Sequence, residues 1–83
     1  MKLQILQLTI ASPHGVIYDG SVSLVTLPGE LGSFTVLPGH APIISSLQKG
    51  MIKYEENGKS TEIEIKSGFV EVSNDIVSVC IEQ

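Results

Sequence analysis

Apolar and polar residues alternate with a period of two along most of this chain. Leu6, Leu8 and Ile10 alternate with Gln7 and Thr9. Ile63 and Ile65 alternate with Glu62, Glu64 and Lys66, and Val77, Val79 and Ile81 alternate with Ser78 and Cys80. Successive side chains of a strand point to opposite faces, so the pattern predicts strands with one buried face. Apolar spacing at three and four is not sustained over any dozen residues. Pro42 favours an extended segment over the one short helical candidate, Ala41 to Leu47.

Turn signals cut the chain into short pieces. Ser12-Pro13-His14-Gly15, Asp19-Gly20, Pro28-Gly29, Pro38-Gly39, Asn57-Gly58 and Ser73-Asn74-Asp75 all read as turns. Asn57-Gly58 is the sharpest, because Asn-Gly favours the positive φ angles of a tight hairpin. The strands expected between them are Leu3–Ala11, Gly15–Asp19, Ser21–Leu27, Ser33–Leu37, Pro42–Leu47, Gly50–Glu55, Ser60–Lys66, Gly68–Val72 and Ile76–Glu82. Many short strands with frequent turns predict an all-β fold, a β-sandwich or flattened barrel. With 83 residues and no linker or repeat, residues 1–83 are expected to form one domain.

Composition narrows the function. The net charge is −4, the five Lys are scattered and Arg is absent, so nucleic acid is not an expected partner. Charged residues are only 17% of the chain, which leaves more neutral surface than usual to face another protein. The single Cys80 forms no internal disulfide and fits a reducing, intracellular setting. Polar residues interrupt Met1 to Leu8 too often for a signal peptide, and no apolar run is long enough for a membrane helix. Membrane association is therefore expected only through a partner.

The inventory for chemistry is thin. His14 and His40 lie in separate turn contexts, and with one Cys they offer no metal-ligand spacing. Cys80 sits in an alternating strand and reads as a small buried thiol. Glu62, Glu64 and Glu82 read as solvated strand faces, and Glu55 and Glu56 flank a hairpin turn. The segment Pro28-Gly29-Glu30-Leu31-Gly32-Ser33-Phe34 lacks the Lys and the following helix of a phosphate loop. No catalytic residue, metal or cofactor is expected. Two function classes remain: an interaction subunit, or a free-standing small β-sandwich that binds a small ligand in a deep apolar pocket. A small hydrolase finds no support.

Residues 24 to 44 stand apart. Pro28-Gly29 and Pro38-Gly39 bracket a short strand and Pro42 follows closely, so these loops are stiff and weakly charged. Thr26-Leu27-Pro28-Gly29, followed by Phe34-Thr35-Val36-Leu37-Pro38-Gly39-His40-Ala41-Pro42, resembles the signature of the ε subunit of F-type ATP synthases, called δ in mitochondria. Leu8 to Gly20, Leu47 to Ile52, and Ser67 to Val72 with Val77-Ser78-Val79 are similar to the opening, middle and close of that family's β domain.

The resemblance implies a ten-strand β-sandwich of two five-stranded sheets. It implies a non-catalytic rotor subunit of the central stalk that joins the γ subunit to the c-ring subunits. Such a subunit works within the assembled α/β catalytic complex at the cytoplasmic face of the bacterial inner membrane, and it couples proton flow to ATP synthesis. Glu30, Leu31, Gly32, Ser33, His40 and Ala41 are the expected c-ring interface. Leu8, Ile10, Ser12, Gly15, Ile43, Ile44 and Leu47 are the expected γ interface. Phe34 and Phe69 are expected in the core. The sequence departs from the family at two points. Many members carry a carboxylate where Ser33 stands, with Glu30 as the nearby substitute. The family also usually continues into a C-terminal helical hairpin, so hairpin-based inhibition and an ATP site are not expected of residues 1–83.

Overall fold

The computed structural model describes residues 4–83, and nine strands run through them. They are β1 (Leu6–Ser12), β2 (Gly15–Val22), β3 (Leu24–Gly29), β4 (Gly32–Val36), β5 (Ile43–Leu47), β6 (Gly50–Glu56), β7 (Lys59–Ile65), β8 (Ser67–Ser73) and β9 (Ile76–Glu82). The expected first strand starts at Leu3, which lies outside the described residues.

The strands follow the order β2-β1-β9-β8-β5-β3-β6-β7, and β4 pairs with β3 alone. A single pair, Gly29↔Leu47, joins β3 to β5. The sheet bends there, so that β2-β1-β9-β8-β5 and β4-β3-β6-β7 become two facing layers. The resemblance implied ten strands in two sheets of five. Among the described residues there are five in one layer and four in the other, hydrogen-bonded as one curled sheet. The sandwich class stands and the strand count does not.

Alternation explains the core. Leu6, Leu8 and Ile10 of β1 point inward beside Val77, Val79 and Ile81 of β9 and Val70 and Val72 of β8. Val25, Leu27, Val36, Ile52, Tyr54 and Ile65 face them from the other layer, all buried. β1 and β9 run parallel, with Leu8 opposite Val77 and Ile10 opposite Val79. Opposite the bend, β2 meets β6: the Tyr18 and Tyr54 rings sit 4.4 Å apart, tilted by 35°. The Tyr18 hydroxyl is buried without a hydrogen-bond partner. Burial, and secondarily the negative charge of nearby Glu56, hold its pKa above the ordinary 10.0.

Two expected turns are strand instead. Asp19-Gly20 lies inside β2, and Pro28-Gly29 is the buried end of β3. Their glycines serve close packing. A Cβ on Gly20 would lie 2.6 Å from the Tyr18 hydroxyl, and one on Gly29 would lie 2.7 Å from the Gly32 carbonyl oxygen. The chain actually reverses at Glu30-Leu31, between the paired Gly29 and Gly32. Asn57-Gly58 is the tight hairpin expected, with φ of 53° and 77°. Two core expectations also fail. Cys80 is exposed and Phe69 is 47% exposed, because both fall on outward positions of their strands. Phe34 is half-buried against the core.

Candidate functional site

The outer face of the β2-β1-β9-β8-β5 layer follows directly from register. One row reads Ser46, Phe69, Cys80, Ala11 and Val16 across five strands. The next reads Ile44, Glu71, Ser78, Thr9 and Asp19. Ile76 and Gln7 lie opposite each other beyond it. Ile44, Phe69, Ile76 and Val16 are all exposed, Val16 and Ile44 by 65% each. Large apolar side chains on the outside of a strand layer gain nothing from folding. Grouped with small neutral neighbours, they mark a surface suited to a protein partner.

The polar groups of this face largely satisfy one another. The Asp19 carboxylate accepts hydrogen bonds from Gln7 Nε2 at 3.2 Å and Thr9 Oγ1 at 3.3 Å. Ser21 Oγ donates to Gln7 Oε1 at 3.4 Å. Lys49, Lys53, Lys59 and Lys66, the lysines among the described residues, lie on β6 and β7 or in the connections beside them. The outer face of the five-strand layer thus carries the carboxylates Asp19, Glu71 and Glu82 and no lysine among the described residues.

This placement sorts the expected γ residues. Leu8, Ile10 and Leu47 point into the core at 2% exposure or less, so their side chains are withdrawn from any partner. Ile43 is half-buried against the core. Ser12 supports its own turn, its Oγ accepting the His14 N–H at 3.1 Å, and Gly15 is exposed beside it. Ile44 alone among the seven presents a large side chain outward. The two segments chosen from sequence are nonetheless the flanks of one face, since β8 and β9 lie between β1 and β5. Phe69, Cys80 and Ile76, which sequence reading did not select, occupy its middle. Their outward parity was visible in the alternation.

The expected c-ring residues line a different margin. β4 is paired on one side only, to β3. Glu30 and Leu31 form the turn before it, and Leu31 is fully exposed at the tip. Gly32 and Ser33 begin β4, exposed, while half-buried His40 and exposed Ala41 follow its far end. The six residues therefore flank both ends of one free strand edge, separated by about 17 Å of strand, and do not form a cluster. Glu30 N–H donates to the Ser46 carbonyl at 3.1 Å, which ties the first turn to β5. Glu30 also borders the shallow depression that Phe69, Cys80 and Ala11 line, so the two candidate surfaces adjoin.

His14 lies in the β1–β2 turn, His40 in the β4–β5 connection and Cys80 on β9. The depressions found on the surface are open to solvent and lie over strand faces, at strand margins or beside turns.

Residues 5–83 match the family model of the ATP synthase delta/epsilon chain β-sandwich domain. The ATP synthase epsilon chain of Wolinella succinogenes is 46% identical over 78 residues, covering 93% of this chain and 58% of that one. The epsilon chain of Desulfitobacterium hafniense is 43% identical over 72 residues, covering 87% and 54%. The chain thus spans a little over half the length of these curated relatives. A chain in the mitochondrial ATP synthase of Euglena gracilis superposes with a TM-score of 0.89 at 26% identity, covering 95% of this chain and 51% of that one. A chain in the central stalk and c-ring of the Tetrahymena thermophila enzyme shares the fold, with a TM-score of 0.80 at 16% identity, covering 100% and 67%. The chain belongs to the ATP synthase delta/epsilon chain β-sandwich domain family.

Proposed function

We propose that residues 1–83 act as a single non-catalytic domain of the central stalk, linking the γ subunit to the c-ring of an F-type ATP synthase. The outer face of the five-strand layer, centred on Phe69 and Cys80, docks γ. The β4 margin, from Glu30–Ser33 to His40–Ala41, faces the c-ring, with Leu31 as its apolar anchor. The domain turns with γ and c at the cytoplasmic face of the bacterial inner membrane and couples proton flow to ATP synthesis in the α/β complex. It contributes contacts and no chemistry.

The observation that carries this reading is the exposed apolar patch of Ile44, Phe69, Ile76 and Val16 on the outer face of a layer whose opposite side already fills the core. Burial of those apolar side chains favours docking, and the Asp19, Glu71 and Glu82 carboxylates stay paired or at the wet rim of the contact. The superposable Euglena gracilis chain belongs to an ATP synthase assembly of OSCP, F1 and c-ring, which supports the choice of partners.

Size-exclusion chromatography of the chain with purified γ tests the first contact. A stable complex is expected. Two separate peaks across a range of salt would overturn it. Cysteine placed at Ser33 in a Cys80→Ser background tests the second contact in the assembled enzyme. Crosslinks to c are expected, and products with α or β alone would refute the assignment.

A further inference from the structure

The connection Leu37–Pro42 is built around one turn. The His40 N–H donates to the Leu37 carbonyl at 3.0 Å, with Pro38 and Gly39 between them. Gly39 has φ of 85°. Proline followed by a positive-φ glycine is the pattern of a type II turn. That turn closes on the His40 N–H, and the Gly39 N–H finds no acceptor inside it. A main-chain donor needs a partner somewhere. Asp75 supplies it from 36 residues away: Gly39 N–H donates to the Asp75 carboxylate at 2.7 Å.

Asp75 occupies an uncommon backbone position. Asn74 and Asp75 form the two-residue β8–β9 hairpin with φ of 51° and 63°, where glycine is the least strained choice. An aspartate there keeps a carboxylate aimed at Gly39. The main-chain carbonyl of Asp75 also accepts the Gln7 N–H of β1 at 2.9 Å. One residue therefore joins β1, the β8–β9 hairpin and the His40 turn. Pro38 and Pro42 stiffen the loop internally. A stiff turn still swings as a unit about its ends, and the Asp75 bond fixes that swing.

We propose that Asp75 is a positioning residue, whose carboxylate sets the orientation of the Pro38-Gly39-His40 turn and so the presentation of His40 and Ala41 at the far end of the β4 margin. This rests on the reading of that margin as the c-ring contact. Two variants of the chain separate its parts. Asp75→Gly keeps the left-handed hairpin and deletes the acceptor. Asp75→Asn tolerates the same backbone and restores an oxygen acceptor.

In hydrogen exchange read by NMR, the Gly39 amide is expected to exchange about tenfold faster in Asp75→Gly. Asp75→Asn should recover most of that protection. Affinity for purified c-ring should fall several-fold in the first variant and return in the second. Unchanged Gly39 exchange in Asp75→Gly would overturn the proposal. Faster exchange with unchanged c-ring affinity would overturn the positioning role. His40→Ala and Ala41→Trp leave the Asp75 bond in place. If both bind the c-ring as the parent does, the docking reading itself has failed, and the positioning claim falls with it.

Discussion

On β6 and β7 the outward residues are Met51, Lys53 and Glu55, opposite Glu64, Glu62 and Ser60. On β8 and β9 they are Phe69, Glu71 and Ser73, opposite Cys80, Ser78 and Ile76. Both pairs are antiparallel hairpins with the same alternation, although on β7 the inward Ile63 is only half-buried and Thr61 is exposed. The first carries opposite charges facing each other, Lys53 and Glu62, which suits water. The second carries an aromatic ring, a thiol and an isoleucine that water does not reward. Inner faces are set by the need to fold. The difference between the outer faces reports what each one meets after folding.

Mutations that set one side of a strand against the other sharpen this comparison most. Leu8→Ala, on the inner side of the five-strand layer, should cost about 2–5 kcal/mol in urea unfolding. Ser78→Ala, on the outer side of the same layer, should stay within about 0.5 kcal/mol. Equal costs would erase the inner–outer distinction.

Across the two outer faces, Phe69→Asp should weaken γ binding by about 2 kcal/mol or more in calorimetry while leaving stability nearly unchanged. Met51→Asp, on the β6–β7 face, should leave γ affinity within about twofold. The reverse order would move the docking face to the other layer. At the β4 margin, Leu31→Ser should lower c-ring affinity by about 1 kcal/mol without affecting γ, since the tip gives up one apolar anchor. A loss of γ binding instead would merge the two surfaces.

The smallest effect concerns the seam that closes the layers. The folded state holds the Tyr18 pKa above its ordinary 10.0, chiefly by burial. The unfolded chain therefore loses that proton first as pH rises. The contribution of Tyr18 is complete below about pH 10 and declines as pH climbs through the folded value. Denaturation followed from pH 8 to 11 should show a shallower alkaline loss in Tyr18→Phe. Identical slopes would mean that Tyr18 ionises freely in the folded chain.

The strands were legible because a half-buried strand writes its burial every second residue. Val77, Val79 and Ile81 show this without ambiguity. Hairpins were legible where Asn57-Gly58 and Asn74-Asp75 need positive φ. Glycines that serve space were not, since Gly20 and Gly29 look like turn residues until the Tyr18 hydroxyl and the Gly32 carbonyl stand beside them. The parallel pairing of β1 with β9 was also hidden, because register between distant segments leaves no local mark. That pairing puts Ala11 beside Cys80 and unites two distant segments into one face. The candidate contacts were half legible. The segments expected at γ flank one face, but Leu8, Ile10 and Leu47 point to the inner side of their strands. Parity, applied to Phe69 and Cys80, would have placed both outside.

Cys80 offers the most direct test, because it is the only cysteine in the chain and lies at the centre of the proposed γ face. Its labelling by a maleimide can be followed by intact mass for the chain alone, with saturating γ and with c-ring. The docking account predicts rapid labelling alone and with c-ring, and at least about tenfold slower labelling with γ. Unchanged labelling in a γ complex shown to be intact would contradict it.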